Sequence, residues 1–172
     1  MQRIQVVGTS GAGKTTFAAQ VARRLRLPHL EIDSIFWGPE WRPMPRTVLR
    51  ERLAEVLARP GWVVDGNYGS AREMIWSRVE VVVWLDYSLP IVLHRVVWRT
   101  ARRLIRREEL WAGNRESLRK TFSRGSILVW SLSTFRRRRR EYPALLADRP
   151  DIVAVRLRSP RAARRWLESL GE

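Results

Sequence analysis

The sequence predicts an α/β protein in which one parallel β-sheet lies between two layers of helices. Short runs of β-branched residues alternate with stretches of helical periodicity along the chain, and this alternation is typical of βαβ units. The chain has 172 residues, of which 45% are hydrophobic, so it is long and apolar enough to enclose a core. The first strand also runs into a glycine-rich turn, as at the ligand-binding edge of such sheets.

Five segments have the length and apolar character of buried strands. They cover residues 3–7, 29–33, 62–65, 79–86 and 151–157. A helix is predicted after each of them, over residues 13–26, over 47–59, from 70, from 90 to about 107, and from 159 to 170. We therefore expect a five-stranded parallel sheet with helices on both faces. Residues 107–141 contain no strand candidate, so we expect a helical insertion there within a single domain over residues 1–172.

The composition excludes several classes of protein. The chain has no cysteine, which rules out a disulfide scaffold, a thiol nucleophile and a cysteine-based zinc or iron–sulfur site. Its longest uncharged stretch, residues 125–135, is about half as long as a membrane span. Residues 1–7 lead into the glycine-rich turn and do not form the apolar core of a signal peptide. We expect a soluble, cytoplasmic protein that does not bind membranes.

Positive charge is concentrated in one segment. The formal net charge is +16, and arginine supplies all but two of the 33 basic residues. Residues 91–140 contain fifteen of these basic residues against three acidic ones. Such a segment is expected to face an anion. The phosphates of a nucleotide and the backbone of DNA or RNA both fit, and the charge alone does not decide between them.

The strongest motif is Gly-Thr-Ser-Gly-Ala-Gly-Lys-Thr at residues 8–15, which matches the pattern G-x-x-x-x-G-K-[ST] between a strand and a helix. Its glycines allow backbone N–H groups to converge on one anion, and the helix N-terminus adds its positive end. Lys14 is expected to reach the outer phosphates of ATP, and Thr15 to bind Mg²⁺. The predicted fold class is therefore a three-layer P-loop NTPase. The loop residues expected to contact the nucleotide are Gly8, Ser10, Gly11, Ala12, Gly13, Lys14, Thr15 and Thr16.

Three of the five aspartates, Asp33, Asp65 and Asp86, lie at the carboxyl ends of predicted strands, where ligands bind in open α/β sheets. A P-loop enzyme needs one such carboxylate beside Mg²⁺, and by position both Asp65 and Asp86 fit. Asp33 can act as a general base if the phosphate acceptor is a hydroxyl group, and Glu31 on the same side of its strand is a candidate second polar ligand. The alternative for each aspartate is that it only caps a turn or a helix.

Two further features accompany the phosphate loop. One is the Asp-Gly-Asn-Tyr turn at residues 65–68, and the other is a Trp- and Pro-rich loop at residues 37–46 that ends in Arg46. Together the three features resemble the DNA topology modulation (FlaR-type) proteins, which look like members of the adenylate kinase-like group of P-loop kinases.

The resemblance implies roles for particular residues. By similarity to adenylate kinases, Asp65 rather than Asp86 assists Mg²⁺. Arg95 packs on the adenine and Arg99 contacts phosphate. A mobile, arginine-rich lid follows, and the helical insertion at residues 107–141 occupies its place.

The acceptor side departs from adenylate kinase. The Asp-Gly-Phe-Pro-Arg pattern of those enzymes becomes Asp-Gly-Asn-Tyr-Gly at residues 65–69, so the arginine that would hold the acceptor nucleotide is missing and Arg72 is a candidate substitute. Trp37 and Trp41 can stack on a base or sugar, or they can simply cap the edge of the core. The residues expected to contact the acceptor are Asp33, Trp37, Arg46, Asn67, Tyr68 and Arg72.

The helix predicted from residue 90 has two faces with different chemistry. Helical spacing places four arginines in one stripe, and we expect at least Arg95 and Arg99 to face phosphate, the alternative being a solvated face. The stripe consists of Arg95, Arg99, Arg102 and Arg106, and the opposite apolar stripe of Leu93, Val97, Ala101 and Leu104. Of the consecutive arginines 136–140, we expect one or two to reach the site.

Two main functions follow from these residues. The first is an ATP- and Mg²⁺-dependent kinase with a nucleotide or small-molecule acceptor, in which Lys14, Asp33 and Arg99 are catalytic. The second is a nucleic-acid-binding ATPase that affects DNA topology, in which residues 91–140 grip the backbone, whether specifically or not. No helix-turn-helix, OB or RRM pattern supports the second. A P-loop regulator of a partner protein is a third alternative.

Overall fold

A computed structural model describes residues 2–106, 108–114 and 127–171 of the chain. Five strands form one sheet in which every pair is parallel. The strands are β1 (Arg3–Gly8), β2 (His29–Glu31), β3 (Trp62–Asp65), β4 (Val81–Leu85) and β5 (Val153–Leu157), in the order β2-β3-β1-β4-β5. The predicted five-stranded parallel sheet is therefore confirmed.

Helices cover both faces of this sheet. They are α1 (Lys14–Leu25), α2 (Ile32–Phe36), α3 (Arg46–Leu57), α4 (Gly69–Trp76), α5 (Leu89–Arg106), α6 (Ile127–Ala147) and α7 (Pro160–Glu168). One buried cluster joins α1, α5 and α7 to the sheet, and a second joins α2, α3 and α4 to it. These two clusters give the three layers expected from the sequence.

Strand β2 ends two residues earlier than predicted, and this moves Asp33. The register pairs Glu31 with Asp65, the last residue of β3. Because β2 lies at the sheet edge and β3 is its single neighbour, no strand partner remains for residues beyond Glu31. The chain turns into helix α2 instead, so Asp33 lies in the first turn of a helix and not at the end of a strand.

Helix α5 shows a different buried face from the one predicted. Its buried residues are Val92, Val96 and Thr100, whereas Val97 of the predicted apolar stripe is 54% exposed. Of the other members of that stripe, Ala101 is exposed and Leu93 and Leu104 are only partly buried. The rotation has a physical cause, because Val92 and Val96 pack directly against Gly11 of the phosphate loop.

Helix α6 lies across the carboxyl ends of the strands. Phe135 belongs to the first buried cluster and Tyr142 to the second. Arg138, between them on the same helical face, is buried. Residues 127–141 of the predicted lid therefore belong to a helix, and Trp111–Gly113 form a short 3₁₀ turn. Residues 107 and 115–126, the rest of that predicted insertion, lie outside the described residues.

None of the described helices combines the length and the apolar character needed to cross a bilayer.

The contact between α5 and the phosphate loop can be tested at Gly11. Its φ is +87°, and an added Cβ would lie 2.2 Å from Val96 Cγ2 and 2.9 Å from the Val92 carbonyl oxygen. We expect Gly11→Ala to lower the free energy of unfolding by about 3 kcal/mol, through backbone strain and overpacking. The control is Gly69→Ala, because nothing lies within 4 Å of a Cβ there. Urea unfolding that shows equal stability for the two variants would contradict this packing.

Candidate active site

The phosphate loop joins the central strand β1 to helix α1. Gly13, at the N-cap of α1, has φ of +87° and ψ of 27°, a left-handed conformation that suits glycine. The Ala12 N–H donates to the Thr9 carbonyl at 3.0 Å, which closes the turn. Backbone N–H groups at a turn that leads into a helix N-terminus, as here, are suited to hold phosphate.

The base of the loop is held by two side chains from distant parts of the chain. The Asn67 amide pairs with both backbone groups of Gly8: its Oδ1 accepts from the Gly8 N–H at 3.0 Å, and its Nδ2 donates to the Gly8 oxygen at 2.6 Å. Arg138 donates to the same oxygen at 3.2 Å, and the Tyr142 hydroxyl donates to Asn67 Oδ1 at 3.1 Å. Asn67, predicted at the acceptor, therefore supports the phosphate loop.

Three acidic side chains surround the Thr15 end of the loop. The Thr15 hydroxyl lies 2.8 Å from Glu31 Oε1 and 3.2 Å from Asp65 Oδ1. Burial raises the pKa of Glu31, and the nearby Asp65 and Asp33 carboxylates raise it further, although hydrogen bonds from Thr15 and Trp111 oppose this. A cation beside Thr15 and Asp65 would relieve the repulsion among these carboxylates.

These oxygens fit Mg²⁺ that arrives with a nucleotide. Mg²⁺ prefers hard oxygen ligands, and it commonly takes one or two from the protein and the rest from phosphate and water. Thr15 and Asp65 supply a hydroxyl and a carboxylate of this type. Within the described ranges, 2–106, 108–114 and 127–171, no group of three or more His, Asp or Glu side chains is arranged to hold a metal ion, so phosphate and water oxygens would have to complete the ligand set here.

Asp86, the alternative to Asp65, is occupied by ion pairs. Its Oδ1 lies 2.5 Å from Arg139 Nε, and its Oδ2 lies 2.7 Å from Arg156 Nη2. Both arginines also lie over aromatic rings, Arg139 over Phe135 and Arg156 over Trp84. Asp86 therefore joins α6 to β4 and β5, while Asp65 lies beside Thr15.

Lys14 lies close to several charged side chains of both signs. Burial lowers the pKa of Lys14, the Asp65 and Asp33 carboxylates raise it, and the Arg138 and Arg99 guanidinium groups lower it. Burial likewise lowers the pKa of Arg138. Three cationic side chains are thus held near one another at the mouth of a loop whose N–H groups converge, and bound phosphate would offset their repulsion.

Asp33 and Tyr68 form a pair on the other side of Lys14. The Tyr68 hydroxyl donates to Asp33 Oδ1. Burial strongly raises the pKa of Tyr68, and the charge of Asp33 and this hydrogen bond raise it further, so the hydroxyl stays protonated. Asp33 acts electrostatically on both Lys14 and Arg138. The structure therefore brings Asp33 to the phosphate loop, although from a helix rather than a strand.

A row of aromatic rings extends from this pair. Successive ring centroids are 4.4, 4.7, 5.8 and 6.3 Å apart. In order the rings are Tyr68, Phe36, Trp37, Trp41 and Trp111. All of them are partly exposed, and Phe36 and Tyr68 also pack against the second buried cluster.

Two residues predicted at the acceptor lie differently. Arg72 lies over the Trp76 ring, with 5.9 Å between guanidinium and centroid. Arg46 is exposed at the first position of α3. In the part of the chain that the structure describes, neither forms a hydrogen bond or ion pair with Asp33 or Lys14.

The arginine stripe of α5 divides into two halves. Arg95 donates to the Ala12 carbonyl at 3.0 Å and lies 5.3 Å from the centroid of Tyr87, and Arg99 lies close enough to influence Lys14. Arg102 and Arg106 are exposed, and Arg102 pairs with Glu108 at 3.2 Å. The half of the stripe nearer the sheet faces the phosphate loop.

Sequence reasoning missed His29 and did not single out Arg138. His29 Nε2 lies 2.7 Å from Asp65 Oδ2, and its spacing of two from Glu31 placed both on one side of β2. Arg138 carries a comparable signal, because Phe135, Arg138 and Tyr142 follow the spacing i, i+3, i+7 of one helical face.

Several solved kinases share the fold of this chain. Shikimate kinase from Acinetobacter baumannii in complex with shikimate is 20% identical, with a TM-score of 0.64 and coverage of 99% of this chain and 90% of that one. A gluconokinase from Sinorhizobium meliloti 1021 is 21% identical, with a TM-score of 0.55 and coverage of 99% and 93%. Shikimate kinase from Aquifex aeolicus is 18% identical, with a TM-score of 0.56 and coverage of 98% and 95%. At these identities the likeness shows the fold.

Sequence comparison adds less. No protein-family model matches the chain. The uncharacterized protein YqaC of Bacillus subtilis (strain 168) is 27% identical over 123 residues, which cover 70% of this chain and 68% of YqaC. These matches do not show the resemblance to DNA topology modulation proteins, which stays a prediction.

The two aspartates can be separated by experiment. We expect Asp65→Asn to weaken Mn²⁺-dependent ADP binding at least tenfold, because it removes a carboxylate beside Thr15. Asp86→Asn should leave this binding within about twofold and lower the free energy of unfolding by about 2 kcal/mol, since its arginine partners are partly exposed. Calorimetry with and without Mn²⁺, together with urea unfolding, measures both effects. The reverse pattern would place the metal at Asp86.

Proposed function

We propose that the protein is an ATP-dependent kinase that transfers the γ-phosphate to a hydroxyl group of a small molecule. The observation that carries this proposal is the placement of Asp33. Its carboxylate is oriented by Tyr68 and lies within the electrostatic reach of Lys14 and Arg138. A phosphate acceptor would need no base at this position, whereas a hydroxyl acceptor makes use of one.

The phosphate loop and its neighbours account for nucleotide binding. Backbone N–H groups of residues 8–16 and the ammonium of Lys14 hold the phosphates, and Thr15 and Asp65 hold Mg²⁺. When bound, Mg²⁺ neutralises charge on the β- and γ-phosphates. Arg95 lies over Tyr87 beside the loop, where it can pack on the adenine as the resemblance implies.

Three cationic side chains stabilise the negative charge during phosphoryl transfer. Arg99 and Arg138 are both close enough to Lys14 to lower its pKa, and Arg138 is held in place by the Gly8 carbonyl. Cations that are placed in advance can stabilise the charge on a transferring phosphoryl group with little reorganisation. Arg138 thus joins the catalytic set of Lys14, Asp33 and Arg99.

Asp33 provides the proton-transfer step. One of its oxygens accepts the Tyr68 hydroxyl, which leaves the other free to accept the proton of an acceptor hydroxyl as its oxygen attacks the γ-phosphorus. The aromatic row, which includes Trp37, offers apolar surface for the acceptor's carbon skeleton. The structural neighbours include kinases named for shikimate and gluconate, and both compounds carry several hydroxyl groups.

The first test is a product assay. The protein is incubated with Mg·ATP and a panel of polyols, hydroxy acids, nucleosides, nucleoside monophosphates or duplex DNA, with Lys14→Met as the blank. We expect a phosphorylated small molecule, identified by mass spectrometry, and none with the blank. ADP release that DNA alone stimulates would favour the nucleic-acid-binding ATPase instead.

The role of Asp33 has its own test. We expect Asp33→Asn to lower kcat about 100- to 1000-fold through loss of the base, with the KM for ATP changed less than about threefold. Tyr68→Phe keeps the ring against Phe36 and removes only the orienting hydroxyl, so its kcat should fall by about tenfold. Steady-state kinetics with the acceptor found in the product assay measure these values. An undiminished kcat in Asp33→Asn would exclude a base at this position.

A further inference from the structure

Residues 108–114, here called the strap, run from the end of α5 to the Trp- and Pro-rich loop, here called the Trp loop (residues 37–46). Asn114 is 5% exposed and forms three side-chain hydrogen bonds. Its Oδ1 accepts from the Trp41 N–H at 2.8 Å, and its Nδ2 donates to the Gly38 carbonyl at 2.9 Å and to the Trp111 carbonyl at 2.8 Å. One buried amide therefore joins the strap to the Trp loop.

The strap also reaches the opposite side of the site. The Trp111 indole N–H donates to Glu31 Oε2 at 3.1 Å, while Glu31 Oε1 accepts from the Thr15 hydroxyl at 2.8 Å. Each oxygen of one carboxylate is thus held by a different residue. A hydroxyl that donates its proton to a carboxylate turns its lone pairs elsewhere, and a metal ligand needs those lone pairs free.

We propose that Trp111 and Asn114 are positioning residues that couple the acceptor side of the site to its metal side. The Thr15 hydroxyl can donate its one proton to Glu31 at 2.8 Å or to Asp65 at 3.2 Å. Trp111 fixes the rotation of Glu31, the nearer acceptor, and thereby favours one direction of that hydroxyl. Asn114 fixes the Trp loop, whose Trp41 ring lies 6.3 Å from that of Trp111. A change at the Trp loop is passed through Trp111 and Glu31 to Thr15. The inference rests on the proposed function, since it assigns Thr15 to the metal.

A purely structural role for the strap leads to a different expectation. If Asn114 and Trp111 only packed the surface, their replacement would loosen the Trp loop and leave metal-dependent binding unchanged. The hydrogen bond from Trp111 to Glu31 distinguishes a positioning role from a packing role, because Glu31 itself contacts the phosphate loop. The test therefore compares binding with and without metal.

The first experiment uses Trp111→Phe, which keeps an aromatic ring near Trp41 and removes the indole donor. We expect Mn²⁺·ADP to bind about five- to tenfold more weakly by calorimetry, the effect of losing one hydrogen bond to a carboxylate. ADP binding in EDTA should change less than twofold. Trp98→Phe is the matched control, because Trp98 is 69% exposed on α5, and it should change neither value. Equal losses with and without metal, or no loss, would overturn the proposal.

The second experiment tests the coupling itself. Asn114→Ala removes the acceptor of the Trp41 N–H, so hydrogen exchange at that amide should rise at least tenfold while the amides of β1 stay protected. Mn²⁺·ADP affinity should fall in the same direction as in Trp111→Phe. In the double variant the two losses should not add, because both act through Glu31. Additive losses, or no effect of Asn114→Ala on metal-dependent affinity, would overturn the coupling.

These readouts require neither an acceptor nor turnover. If the wild-type protein binds Mn²⁺·ADP but phosphorylates nothing in the product assay, the proposed kinase activity fails while the strap is still judged by the binding data. If the wild-type protein does not bind Mn²⁺·ADP, both proposals are overturned.

Discussion

The backbone of Gly8 is the point at which the structure is joined together. Gly8 ends the central strand and begins the phosphate loop. The turn itself supplies no hydrogen-bond partner for the N–H and carbonyl groups of Gly8, so other parts of the chain must supply them. Asn67 satisfies both groups, and Arg138 shares the carbonyl. The turn after β3, the helix that crosses the strand ends and the phosphate loop are thereby fixed relative to one another. The position of Arg138 and the start of the phosphate loop depend on this junction.

Arginines near the site differ in the partners that hold them. Asp86 neutralises Arg139 and Arg156 at the edge of the sheet, so these two support the architecture. Arg138, the direct neighbour of Arg139, points instead toward the loop and is held by a carbonyl oxygen. Neutral acceptors fix such a guanidinium without cancelling its charge, which leaves that charge available for phosphate. Two adjacent residues of one helix thus serve opposite purposes.

Much of the fold and part of the site could be predicted from local sequence. The β-branched runs defined the strands, and the phosphate loop carries a motif whose spacing is set by the chemistry of phosphate binding. Residues whose place depends on distant partners could not be assigned. Asp33 lies in a helix rather than in the predicted strand because β3 ends beside Glu31. The buried face of α5 differs from the predicted one because Val96 packs on Gly11. Trp111 and Arg138 contact partners 80 and 130 residues away, and periodicity can at most indicate the helical face of Arg138 without identifying such a partner.

The same long separations in sequence determine when the site forms during synthesis and folding. The phosphate loop is synthesised before the side chains that hold it, because Asn67 lies 59 residues beyond Gly8 and Arg138 lies 130 beyond it. Contacts of such high order form late, after the intervening chain has been placed. A nascent chain that ends before α6 carries the complete motif without the side chains that fix its shape. A phosphate loop of fixed shape accordingly requires the chain as far as α6 to be in place.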